Sequence, residues 1–382
     1  MRPRRERVLG GGDAAAWPQI LQARRASGTV RVWESGGAAL HVLEGHTDFV
    51  TCVAAFVSET QPRLASGAAD FTVRVWDPLA GGAALHVLVG HVLFVKAVTC
   101  FADDAGRPVV ASTSVDGTLR LWDGDGGAHV ATIHVHGPPA GREQLRSRRQ
   151  TETGSTPSRR RSSVTMFARR ASRVASAKAA PAFSLAATVG EPATRLATGH
   201  ADGLVRLWEP RAGADCLAVF EGHSGAVLAL HAYTSGDRPR LATGGVDACI
   251  RIWELGGAPS KLLEIPRAHE GRVSALCTFS GPDGLMLASG SGDMQIAVWL
   301  ESRKELEEED APASPDDEDA DGEKPAAPGQ RPKAVNRLEG HTTVISALAA
   351  FSAADGAPRL ASGAWDGCLR LWDPFSEEVG IC

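Results

Sequence analysis

GHTDFVTCVAAFVSETQPRLASGAADFTVRVWD, residues 45–77, decides how this chain is read. It opens on Gly45-His46 and closes on Trp76-Asp77. Two apolar runs lie between them, and a third follows Asp70. Apolar residues alternate within the runs, β-branched residues are common, and Gly, Asp and Pro punctuate them. These are strand and turn signals. The same pattern then recurs along the chain. Seven of the nine tryptophans end an equivalent run, at Trp33, Trp76, Trp122, Trp208, Trp253, Trp299 and Trp372. Their spacings are 43, 46, 86, 45, 46 and 73 residues, so two repeats carry insertions and the rest keep one period.

Polar positions hold the same register. Six residues before the Trp stands an Asp in six repeats: Asp70, Asp116, Asp202, Asp247, Asp293 and Asp366. Ten before it stands Ser or Thr in the same six: Ser66, Ser112, Thr198, Thr243, Ser289 and Ser362. Thirty or thirty-one before it stands His in five: His46, His91, His223, His269 and His341. The arrangement GH…LASG…D…RVWD resembles the WD-repeat β-propeller family over nearly the whole chain outside the two insertions.

The resemblance implies an all-β, seven-bladed propeller of four-stranded antiparallel blades, one domain over residues 1–382. It also implies that His, Ser/Thr, Asp and Trp of a repeat hydrogen-bond in a chain, so that no buried polar group is left alone. Ser, His and Asp together suggest a hydrolase triad. Their recurrence at structural spacing points instead to a framework, so no catalytic residue, metal ligand or cofactor is expected. The first repeat is degenerate: counted back from Trp33, Ala23, Ser27 and Pro3 stand at the Ser/Thr, Asp and His positions. Only ten residues follow Trp372, with EEVGIC as the available outer strand. The last blade then closes on itself, leaves one edge poorly paired, or belongs to a truncated chain.

Residues 137–181 form a basic insert with eleven Arg/Lys against two Glu. RRQT, RRRSS and RRAS within it resemble basophilic kinase substrates, with Thr151, Ser162, Ser163 and Ser172 as acceptors. Val164, Phe167, Ala171 and Val174 also line up as one face of a basic amphipathic helix. His136 keeps the histidine register just before this insert. Residues 301–333 form an acidic, Pro/Ala-rich insert; between Glu301 and Lys324 it carries twelve acids and three bases. Both read as disordered by composition. The family topology sets them on opposite faces, so they are expected to act independently.

Net charge is −5, which makes neither nucleic acid nor membrane a default partner. No apolar stretch has the length of a membrane span, and the basic start lacks the apolar core of a secretory signal. The seven scattered cysteines read as reduced core residues of an intracellular protein, cytoplasmic, with the nucleus as the alternative. The expected role is a non-enzymatic scaffold that holds other proteins in a multi-protein complex. Its docking surface is the face made, in this family, by the Asp turns and the starts of the innermost strands. Phe49, Phe94 and Arg272 at the strand starts, Trp365 before its Asp, and Phe71 after its Asp are the expected anchors. Two alternatives remain. One is a substrate receptor of a cullin-type ubiquitin ligase, suggested by WEPR at Trp208–Arg211. The other is an RNA-associated factor using the basic insert.

Overall fold

The computed structural model describes residues 22–24, 28–33, 39–135, 180–188, 194–211, 214–255, 260–301, 334–353 and 355–376. Within them lie seven antiparallel sheets and no helix. The first holds β1 (Gln22–Arg24), β2 (Thr29–Trp33) and β3 (Ala39–Glu44). The second holds β4 (Val50–Ser58), β5 (Gln61–Ala68), β6 (Val73–Trp76) and β7 (His86–Leu88). The third holds β8 (Val95–Ala102), β9 (Pro108–Ser114), β10 (Thr118–Asp123) and β11 (His129–His134). The fourth holds β12 (Ala182–Thr188), β13 (Arg195–His200), β14 (Val205–Trp208) and β15 (Cys216–Phe220). The fifth holds β16 (Val227–Ser235), β17 (Arg238–Gly245), β18 (Ile250–Glu254) and β19 (Ser260–Ile265). The sixth holds β20 (Val273–Gly281), β21 (Gly284–Ser291), β22 (Ile296–Leu300) and β23 (Asn336–Leu338). The seventh holds β24 (Ile345–Ser352), β25 (Pro358–Ala364) and β26 (Leu369–Trp372).

Each sheet is a meander, and the long first strands β4, β8, β12, β16, β20 and β24 pack on one another in series. They are the innermost strands of a β-propeller. In the first sheet that place falls before residue 22, and in the seventh the outermost place falls after residue 376. Both lie outside the described residues, as does the closure proposed for EEVGIC.

The core lies between blades, because one half-apolar sheet cannot bury its own faces. The repeat tryptophans of the second to seventh blades plug against the preceding blade. Trp76 joins Val30, Val32 and Leu43 of the first, and Trp122 joins Phe56, Val73, Val75 and Leu88 of the second. A β-bulge falls at the second residue of each described innermost strand. At one of these, the Thr51 hydroxyl lies 2.9 Å from Gly67 O and 2.7 Å from Val95 O of the next blade, and its single proton serves one or the other.

Three expectations from the sequence are corrected here. In the first blade β1 pairs Gln22 with Arg31, whereas Ser66, Ser112, Thr198, Thr243 and Ser362 face the corresponding Arg elsewhere. Gln22, not Ala23, therefore holds the Ser/Thr register, because this hairpin has one extra residue. The ring resumes at Ala180 rather than after Pro181. Ala180 O is bonded to the His200 ring, and Pro181 O accepts the Ala201 N–H at 3.1 Å. Glu301 belongs to the ring and not to the acidic insert. It is buried, and its amide donates to Leu285 O. The rest of both inserts lies outside the described residues, including Thr151, Ser162, Ser163 and Ser172. Their flanks show which ends they leave from. The basic one joins an outermost strand to an innermost strand at the face carrying the Asp turns. The acidic one joins β22 to β23 at the opposite face.

Candidate functional site

The recurring polar residues form one device per blade. In the second blade Trp76 Nε1–H donates to Ser66 Oγ at 2.8 Å, Ser66 lies 2.8 Å from His46 Nε2, and His46 Nδ1 lies 2.8 Å from Asp70. The chemistry fixes the direction. An ionised carboxylate only accepts, so Nδ1 carries the proton, and Nε2 accepts from the serine hydroxyl. The same chain runs through Trp122–Ser112–His91–Asp116, Trp253–Thr243–His223–Asp247, Trp299–Ser289–His269–Asp293 and Trp372–Ser362–His341–Asp366. This polarity matches a hydrolytic triad, but Ser66 is 0% exposed and its oxygen already holds the indole N–H. These hydroxyls cannot reach a substrate.

The glycine before His46 is required by the same packing. A Cβ at Gly45 would stand 2.6 Å from the Arg74 guanidinium and 3.3 Å from the Trp76 ring. Arg206 and Arg251, at the register of Arg74, are buried and bound to Asp202 and Asp247.

The fourth blade departs from the scheme. His136 lies outside the described residues, and the imidazole comes from His200, two residues after Thr198 on the same strand. His200 Nε2 lies 2.8 Å from Thr198 Oγ1 and Nδ1 lies 3.0 Å from Ala180 O, while Trp208 donates to Thr198 at 2.8 Å. Asp202 turns to Arg206 instead, at 2.8 Å. The signal was in the sequence: this position holds Ala68, Ser114, Gly245, Ser291 and Ala364 in the other blades, and His only here.

These chains make stability depend on pH in one direction. Burial pushes the His46 and His91 imidazoles below their ordinary range, against the pull of Asp70 and Asp116. Burial also opposes charge on Asp70 and Asp116. The bonds they accept, from Thr72 and Thr118 foremost, still hold both below the usual carboxylate range. Lowered histidines favour the folded state above about pH 6.5, and lowered carboxylates favour it above about pH 4. The urea midpoint is therefore expected to fall as pH drops below about 6.5 and more steeply below about 4. A midpoint flat from pH 8 to pH 5 would contradict the histidine contribution.

The exposed anchors lie at the face where the Asp turns meet the starts of the innermost strands. One backbone bond per blade joins the two positions. Ala69 N donates to Phe49 O at 2.9 Å, and Val115 N to Phe94 O at 3.0 Å. Val246 N donates to Ala226 O at 2.9 Å, Gly292 N to Arg272 O at 2.9 Å, and Trp365 N to Val344 O at 3.0 Å. Ala201 and Pro181 make the sixth pair. Phe49, Phe71, Phe94 and Trp365 are 38–51% exposed. Two contacts unite residues of adjacent blades. The Phe71 and Phe94 rings lie 5.7 Å apart, and the Arg272 guanidinium lies 5.3 Å over the Trp365 ring. Phe49 has no ring contact with the others. Lys96, at a bulge, lies 5.9 Å from both the Phe94 and Phe183 rings.

Met294 is an exposed side chain of this face that the reading of the sequence missed. The residue after the Asp adopts a left-handed backbone in every blade. It is Gly28, Gly117, Gly203 or Gly367 in four, but Phe71 (φ 71), Ala248 (φ 59) and Met294 (φ 72) in the others. A non-glycine there costs about 1–2 kcal/mol. The rule that singled out Phe71, a side chain where glycine is usual, would also have found Met294.

Among the described residues no group of three His, Cys, Asp or Glu gathers as a metal site, and no helix is long and apolar enough to cross a membrane. Burial pushes the Cys277 thiol up to about 12 and raises Cys100 and Cys216 as well, consistent with core packing.

Comparison with known proteins agrees with this architecture. The family model "WD domain, G-beta repeat" matches residues 37–77, 82–123, 214–254, 260–299 and 332–373, together more than half the chain. Over 113 residues the chain is 28% identical to the nuclear distribution protein PAC1-1 of Uncinocarpus reesii, a stretch covering 29% of this chain and 24% of that protein. The chain thus aligns with about a quarter of that relative's length. The crystal structure of the computationally designed Ika8 protein superposes with a TM-score of 0.53 at 23% identity, over 91% of this chain and 78% of that one, which shows the fold alone. The largest unmatched stretches are residues 124–213, which hold the basic insert and most of the fourth blade, residues 1–36 at the degenerate first blade, and residues 300–331 at the acidic insert. With the repeat present in sequence and blades in space, the chain belongs to the WD40 repeat family of β-propellers.

Proposed function

We propose that this propeller is a non-enzymatic scaffold that docks partner proteins on the face carrying Phe49, Phe71, Phe94, Arg272 and Trp365. WD40 propellers are typical protein-interaction folds, which supports the class of function. The observation that carries the site is the pairing of side chains from adjacent blades, exposed Phe71 with Phe94 and half-buried Arg272 with exposed Trp365. Exposed aromatics and Arg are the residue types that dominate binding energy at interfaces. The Ser–His–Asp sets, by contrast, are saturated inside the blades.

The test is affinity capture with single variants: Phe71→Gly, Phe94→Ala, Arg272→Ala and Trp365→Ala. Each is expected to lose captured partners while the ring stays folded. Phe71→Gly should stabilise the ring by about 0.5–1 kcal/mol, since relief of a left-handed phenylalanine outweighs the added chain entropy of glycine. An unchanged partner set for all four variants would remove this face as the docking surface.

A further inference from the structure

The charge pattern of the same face points to the chemistry of one partner contact; this rests on the docking reading above. Among the paired strand-start and pre-Asp positions described there, Arg272 alone is charged. Its guanidinium lies over Trp365, which is about half exposed, and it makes no ion pair among the described residues. A guanidinium held over a ring in this way keeps five N–H donors, and none of them meets a side-chain acceptor among the described residues. Those donors match a planar acceptor that can meet two of them at once. The Asp turns of the fifth and sixth blades, on the same face, display apolar side chains. Val246 is 51% exposed and Met294 is 43% exposed, the latter held in a backbone conformation unfavourable for methionine. Strain of this kind clusters at functional positions.

We propose that Arg272 and Trp365 receive an Asp or Glu carboxylate from a linear segment of a partner protein, with an apolar neighbour seated on Met294 and Val246. One unpaired cation matches one negative charge. A phosphate dianion would bring a second, and exposed Glu270, two residues from Arg272, opposes it. The chain's own acidic stretch joins β22 to β23 at the opposite face, so the occupant is another chain.

The test uses an array of seven-residue peptides with randomised apolar-rich flanks and a central Glu, Gln, Lys or phosphoserine, probed with the full-length protein. The Glu pool is expected to bind at least tenfold more tightly than the Gln and Lys pools. Arg272→Ala should abolish that preference, and Trp365→Ala and Met294→Gly should weaken binding of the Glu pool severalfold. All three side chains are at the surface, and an unchanged urea midpoint for Arg272→Ala and Trp365→Ala would show that folding is intact. Equal binding of Glu and Gln pools, a stronger phosphoserine pool, or a Glu preference that survives Arg272→Ala would overturn the inference. If the Arg272 and Trp365 variants lose captured partners while no Glu preference exists, the docking face stands and only the carboxylate assignment fails. If both partner capture and peptide binding ignore these variants, the docking face itself fails.

Discussion

Replacing Glu301 by alanine is expected to lower the stability of the ring by about 3 kcal/mol, read as a fall in the urea midpoint. The carboxylate is buried where the fifth and sixth blades meet. Tyr233 Oη–H donates to it at 3.0 Å, Ser235 Oγ–H at 3.2 Å, and the Arg240 guanidinium binds it as well. Burial, and then the nearby carboxylate, push the Tyr233 phenol above its ordinary range, so it stays a donor. The Tyr233 ring stacks on His231, whose Nε2 lies 3.0 Å from Thr278 of the sixth blade. Alanine would leave three donors of the fifth blade without their acceptor in a place mostly closed to water. Arg240 is 21% exposed and can recover some hydration, which keeps the loss at the lower end for a broken buried pair. Glu301→Gln keeps an acceptor oxygen but not the charge, and should lose about half as much. A midpoint for Glu301→Ala equal to the parent's would show that the seam is held by its apolar contacts alone. The second and third blades meet through Phe56, Val95, Val98 and Trp122, and the fifth-to-sixth seam adds this buried carboxylate to an apolar cluster of its own around Trp299.

Ser66→Ala is expected to cost about 2–4 kcal/mol although it removes only one oxygen. That oxygen accepts the Trp76 indole N–H and donates to His46 Nε2, both buried. Its loss leaves one donor and one acceptor unsatisfied, each worth about 1–3 kcal/mol when stranded away from water. The control is Ser66→Thr. Threonine holds this position in the fourth and fifth blades with the same bonds, at 2.8 and 3.0 Å from the indole nitrogen, so its effect should be small. Equal losses for Ala and Thr would mean that the site responds to packing volume and not to the hydroxyl. In the first blade β1 brings Gln22 to this register, and no residue there repeats the Ser–His–Asp set.

The part of the molecule legible in the sequence is the part whose contacts lie within one repeat. Ser66 and Trp76 are ten residues apart because a short turn joins two paired strands, and six of the seven hairpins keep that length. The histidine and aspartate registers follow for the same reason, and so do the blades. Contacts between blades have no fixed separation. Phe71 meets Phe94 across 23 residues and Arg272 meets Trp365 across 93, with an insert between them, so their pairing was invisible although each residue could be singled out.

The sequence by itself determined the propeller, its repeat of buried hydrogen bonds, and which departures from the repeat, such as Phe71 and Trp365, reach the surface. Only the tertiary structure decided that His200 takes the place expected of His136. Only there does Glu301 leave a run of acids to enter the fifth-to-sixth seam, and does the Arg272 guanidinium sit over Trp365. The physical reason is the same in each case. A strand's period dictates neighbours along and across one sheet, whereas the neighbours of a side chain on the next blade are set by how two separate sheets pack.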